Sequence, residues 1–271
     1  MPLAGTLKNL VLRGLLAGLL AGLLAGAVAF TLGEPHIAAA VELEESAPPT
    51  VPAQHEHEPG TPAHSHDGDA LVSRDGQRAG LLLATTGAGL AIGAIFGVVA
   101  YCARRFVALP GPLLALCLAG GGWLAIEAVP FFKYPADPPA VGDPDTLGQR
   151  TWLWAAALVL GLFAVCAAGY VAKVLVAHRY RTVPVAASIL TFLVIVTAGY
   201  LLLPAVNEVG DNFPATLLWE FRVSVMATQA TLWLVLGLAF AVLTERAQRT
   251  TQSERIAPVA VNDRTAGTTP L

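Results

Sequence analysis

VLRGLLAGLLAGLLAGAVAFTL, from Val11 to Leu32, is the stretch whose reading decides the fold. Its only charge is Arg13, and the run exceeds the roughly 20 apolar residues that carry a helix across about 30 Å of hydrocarbon. Gly14, Gly18, Gly22 and Gly26 recur at every fourth position, with Ala17, Ala21 and Ala25 beside them. At helical spacing these residues form one flat, small-residue face that another helix can approach closely. The face is a packing surface, and one route to a homo-oligomer.

Five further apolar runs of spanning length follow, at Ala79–Ala100, Leu109–Pro130, Trp152–Val176, Val183–Leu203 and Ser224–Leu243. The chain as a whole is 55% hydrophobic and 13% charged, with a mean hydropathy of +0.62, so the bilayer must be its main solvent. The expected fold is an all-α polytopic membrane protein, a bundle of six transmembrane helices. Five is the alternative count, because Pro110, Pro112 and Gly120 to Gly122 weaken the third run. The organisation reads as helix 1 over 1–33, an outward His/acid-rich disordered loop over 34–78, the remaining bundle over 79–243, and a disordered cytoplasmic tail over 244–271.

Orientation follows from Lys and Arg, which accumulate in cytoplasmic loops. Lys8 and Arg13 open helix 1, Arg104 and Arg105 follow helix 2, Lys173, Arg179 and Arg181 follow helix 4, and Arg246 and Arg249 follow helix 6. Between helices 1 and 2, nine acidic residues face a single Arg74. Six crossings with both termini in the cytoplasm satisfy this pattern, and removing any one crossing breaks it. A rival reading takes helix 1 as a cleaved signal peptide ending near Ala27 to Ala29. At an offset of 74, Arg105, Pro110, Pro130 and Asp137 recur as Arg179, Pro184, Pro204 and Asp211, a faint internal repeat.

Catalytic signatures are missing: there is no GK[ST] phosphate loop, HExxH, nucleophile elbow or Rossmann fingerprint. No enzyme activity and no nucleic-acid partner is expected. Cys102, Cys117 and Cys166 are too scattered for a disulfide framework or a CxxC site, and read as small packing residues.

Chemistry concentrates in the first loop. Four of the six histidines, His55, His57, His64 and His66, lie in HEHEPGTPAHSH, interleaved with Glu56 and Glu58 and followed by Asp67. Residues two apart in an extended chain project to one side, so each His-x-His pair can offer two imidazoles to one ion, and the Pro59 to Pro62 turn can bring the pairs together. Imidazole with carboxylate suits Co, Ni, Zn or Cu(II), without choosing among them. The bland alternative is a solvated linker, since 46–77 is rich in Pro, Gly, Ser and acids.

A second set of polar residues lies at or just outside membrane depth. Glu127, in AIEAVPFF near the outer end of helix 3, is the leading candidate for a path-lining carboxylate, because ionisable groups in spans are costly. Its competing fates are snorkelling to the interface or pairing with Lys133. The proline-rich second outward loop supplies Asp137, Asp143 and Asp145, and the third, PAVNEVGDNFP, supplies Glu208 and Asp211. With Glu34 and His36 just beyond helix 1, these could form an acidic vestibule for cations, or serve only topology and solubility.

Several of these segments resemble the predicted cobalt transporter subunit family CbtA. They are Gly33-Glu34-Pro35 after helix 1, Asp75-Gly76-Gln77-Arg78 before helix 2, EAVPFFKYPADPPAVGDPDTLGQRT at 127–151, and FPATLLWEFR at 213–222. The resemblance spans nearly the whole chain. It implies an inner-membrane protein of five helices that imports cobalt for cobalamin synthesis beside CbtB, a small single-helix partner with its own His motif. The substrate would be a divalent cation, Co2+ ahead of Ni2+ or Zn2+, with no permanently bound cofactor. The alternative is a membrane-anchored metal-binding or sensing subunit that transports nothing.

Overall fold

A computed structural model describes residues 3, 5–46, 74–142 and 144–266. Among the described residues every regular element is a helix, and six are long and apolar enough to cross a membrane. They are α1 (Leu7–Ser46, with a π-helical turn at Ala29–Gly33), α2 (Arg74–Ala103), α3 (Gly111–Lys133, with a π-helical turn at Trp123–Ala128), α4 (Leu147–Val174), α5 (Thr182–Leu202) and α6 (Ala215–Ala266). The third span, weakest in the sequence, is intact. Pro110 occupies its N-cap and Pro112 its first turn, where a missing N–H costs no intrahelical hydrogen bond.

Two elements outrun their sequence boundaries. The α1 helix continues through EPHIAAAVELEES to Ser46, so the first third of the expected outward loop is helical. Alanine, leucine and glutamate in that stretch are strong helix formers. At 40 residues α1 is about 60 Å long, twice the hydrocarbon thickness, so it must project from the membrane. The α6 helix runs on to Ala266, through a tail expected to be disordered. An i,i+4 ion pair between Glu245 and Arg249 supports the start of that extension.

The helices form a row of neighbours, α2–α1–α6–α3–α4–α5. Between α1 and α2 the glycines do what their spacing suggests. A methyl group at Gly14 or Gly18 would overlap the carbonyl oxygen of Gly93 or Gly89, and one at Gly93 or Gly89 would overlap that of Gly14 or Gly18. The Gly14/Gly18/Gly22/Gly26 face is therefore filled by α2 of the same chain. It is not available for a homo-oligomer, because two backbones already occupy the close approach that only glycine permits. The packing holds α1 between α2 and α6.

The apolar core joins α1, α2, α3 and α6, with Leu10, Leu236 and Phe240 fully buried and Phe96 set edge-on to Phe240 at 5.1 Å. By contrast α5 touches mainly α4 and has no buried residue. Basic residues mark one of the two ends of the bundle along its helix axes. One end gathers Lys8, Arg104, Arg105, Lys173, Arg179 and Arg181, and there the Arg104 guanidinium donates to the Leu3 and Gly5 carbonyls. Glu127, Asp137 and Glu208 lie at the other end.

Candidate functional site

The polar residues at that second end are organised by α3. Its π-helical turn inserts an extra residue into the helix and so re-aims the side chains around Glu127, a distortion frequent at functional sites. Glu127 lies six residues before Lys133, the last residue of α3, and hence about 9 Å below the helix end. Its Oε1 accepts a long hydrogen bond, 3.4 Å, from Nε1 of Trp233 on α6. Gly122 makes room for that indole, since a methyl group there would overlap the ring. Among the described residues no basic side chain pairs with Glu127. The expected pairing with Lys133 does not occur, because Lys133 Nζ is drawn away to the Tyr200 carbonyl at 2.9 Å, and the Tyr200 hydroxyl donates back to the Val129 carbonyl.

Beyond α3 the chain 134–142 folds over the end of the bundle. The Tyr134 hydroxyl donates to the Pro204 carbonyl at 2.8 Å, and partial burial pushes its pKa up, so it remains a protonated donor. Pro138 is fully buried. Asp137 accepts from Arg222 Nη2 at 2.8 Å, while Nε of the same guanidinium donates to the Ala136 carbonyl. Both oxygens of Glu208 are also engaged, Oε2 by Arg150 at 2.8 Å and Oε1 by the Thr146 hydroxyl at 2.6 Å. Gly142 adopts φ +110°, and a side chain there would collide with the Arg150 guanidinium. The result is a cavity of about 400 Å³ between α3, α4, α6 and the two loops, with Glu127, Asp137, Glu208, Arg150, Arg222 and Gln229 in its wall. Three carboxylates against two guanidiniums leave it one net negative charge, and the carboxylate without an arginine is Glu127.

A family model described as "Probable cobalt transporter subunit (CbtA)" matches residues 7–245. The chain belongs to the CbtA family. The matched span begins with α1, takes in α2 to α5 and ends within α6, so it reaches six membrane-length helices, one more than the five the sequence resemblance implied. Comparisons with curated proteins and with solved structures give no match.

Of the residues singled out from the sequence, the CbtA fold brings three into the cavity wall: Glu127, Asp137 and Glu208. Asp145 and Asp211 are exposed and do not line it, and Asp211 sits in a surface turn, so its offset match to Asp137 carries no shared position. Glu34 and His36 belong to a different neighbourhood at the π-helical turn of α1. There Glu34 pairs with Arg78 at 2.9 Å, and His36 bridges the Leu32 carbonyl and Glu220. The expected single vestibule is thus two separate clusters, because α1 lies on the far side of α6 from α4. Asp143 and the set His55, Glu56, His57, Glu58, His64, His66 and Asp67 lie outside the described residues. Within the described residues no three His, Cys, Asp or Glu side chains come together to hold a metal ion. The cysteines remain scattered, free and exposed on the helix surfaces.

Arg150, Arg222, Trp233 and Gln229 were not anticipated as site residues. The two arginines carried a signal nonetheless: they lie in segments the charge pattern assigns to the outer side, against the bias that sets topology, and so call for an acidic partner.

Proposed function

We propose that this CbtA protein lies in the inner (plasma) membrane with both termini in the cytoplasm, and admits a divalent transition-metal cation from outside. The cation is cobalt, destined for cobalamin synthesis, with nickel and zinc as weaker substrates. His55, His57, His64 and His66, with Glu56, Glu58 and Asp67, collect the ion. It then enters the cavity edged by Asp137 and Glu208, and moves toward Glu127. A small single-helix subunit of the CbtB type is the expected partner.

The observation that carries this reading is the position of Glu127: the deepest carboxylate of the cavity, set by a π-helical turn and Gly122, and unmatched by any arginine. Entry of a dication would be driven by the membrane potential, worth about 2.3 kcal/mol per charge per 100 mV and roughly double that here. No resident nucleotide motor is required.

Radioactive cobalt uptake into proteoliposomes, with and without the partner, tests the proposal. Saturable uptake that is lost in Glu127→Gln is expected. Intact uptake in that variant removes Glu127 from the path, and no uptake in any preparation favours a subunit that binds or senses metal without transporting it.

A further inference from the structure

The cavity is large for a bare metal ion and poor in ligands for one. At about 400 Å³ it has room for an ion with six first-shell waters, which occupy roughly 180 Å³ at about 30 Å³ per water. Asp137 Oδ1 and both oxygens of Glu208 already accept short hydrogen bonds from Arg222, Arg150 and Thr146, so inner-sphere coordination through them competes with those contacts, and among the described residues no three His, Cys, Asp or Glu side chains converge to hold a metal. Glu127 and the unengaged Asp137 Oδ2 together could replace at most about three of six waters. Stripping the others would leave much of the ion's hydration energy unrecovered.

The wall is better suited to water ligands than to the metal itself. Waters on a dication are strong donors. The cavity offers them the Glu127 carboxylate, the free lone pairs of Asp137 and the side-chain amides of Asn207 and Gln229. We infer that the cavity binds its divalent cation as the hexaaqua ion, held in the outer sphere through water ligands, with Glu127 as the counter-charge. This rests on the cavity being the ion's way in, as proposed above. Such a site sorts by charge and hydrated size rather than by ligand softness, so discrimination among transition metals falls to a step before the cavity.

The test uses the full-length protein in proteoliposomes and nanodiscs, alongside a full-length variant with His55, His57, His64 and His66 all changed to Ser. The probe is hexaamminecobalt(III), a substitution-inert complex of similar size to the hexaaqua ion that cannot give up ligands to the protein. It should compete with Co2+ in both proteins, and its inhibition should weaken about tenfold or more in Glu127→Gln, the loss of one close counter-charge. In the Ser variant, bound Co2+ should keep the weak visible spectrum of octahedral water coordination. Failure of the complex to compete while Co2+ still binds, or intense tetrahedral bands in the Ser variant, overturns the inference and leaves the transport reading standing. If Co2+ neither binds nor enters, the transport reading fails and this inference falls with it.

Discussion

Removing either member of the Arg222–Asp137 pair should move cation affinity in opposite directions. Arg222→Gln leaves Asp137 as a bare carboxylate in the cavity wall and takes the net charge from one negative to two; Asp137→Asn leaves the guanidinium unopposed and takes it to zero. A dication about 7 Å from a wall charge interacts with it by roughly 1 kcal/mol at the dielectric of water and about 5 kcal/mol at an effective value near 20. Because the cavity opens to solvent the low end applies, about 1–2 kcal/mol, or roughly five- to thirtyfold in affinity. Arg222→Gln should therefore tighten cobalt binding by that factor and Asp137→Asn should weaken it, with the double variant close to wild type. Calorimetric titration of cobalt into nanodisc-held protein, at fixed ionic strength to hold screening constant, reads all three. Thermal unfolding run in parallel separates charge effects from damage to the fold. If both single variants weaken binding equally and the double variant is no better, the pair is scaffold alone and the charge account of the cavity is wrong.

Other expectations follow from single contacts. Gly18→Leu forces a side chain into the Gly89 backbone and should cost more than about 3 kcal/mol, seen as loss of folded protein in detergent melts, whereas Gly87→Leu, with open space around its Cα, should be near neutral. Gly122→Val drives into the buried Trp233 indole and disturbs the donor to Glu127; overpacking of this kind costs about 1–3 kcal/mol, so cobalt uptake should fall together with the melting temperature, and uptake unchanged in a folded variant would remove the indole from the site. Replacing residues 47–73 with a Gly/Ser segment of equal length should lower uptake several-fold at limiting cobalt and leave the saturating rate unchanged. An unchanged rate at limiting cobalt would remove the collecting role from the histidines.

The six spans were legible because membrane crossing imposes a length and a composition on each helix separately, and neither depends on what the helix packs against. The four-residue glycine spacing in α1 likewise announced a close approach, but not its partner. Gly89, Gly93 and Gly97 of α2 repeat the same spacing, so the partner was legible too, in the match between the two glycine faces. The π-helical turns were invisible. They arise from how α1 and α3 meet their neighbours, and no residue in AFTLG or WLAIEA forbids an ordinary α-helix. Acidic composition gathered Glu34, Asp145 and Asp211 with Asp137 and Glu208, yet it carries no information on which loop folds over which helix. The row order of the helices decides that.

The basic residues at the Glu127 end of the bundle were the stronger guide. Arg78, Lys133, Arg150 and Arg222 all run against the topological charge bias, and each meets an oxygen acceptor there: Glu34, the Tyr200 carbonyl, Glu208 and Asp137. Arg78, Arg150 and Arg222 each have a carboxylate counter-charge, whereas Lys133 meets only the dipole of a carbonyl. Three of the carboxylates that sequence reading offers as ion ligands, Glu34, Asp137 and Glu208, are in fact the counter-charges of arginines. Subtracting those pairs leaves Glu127 as the one cavity carboxylate without a basic partner among the described residues.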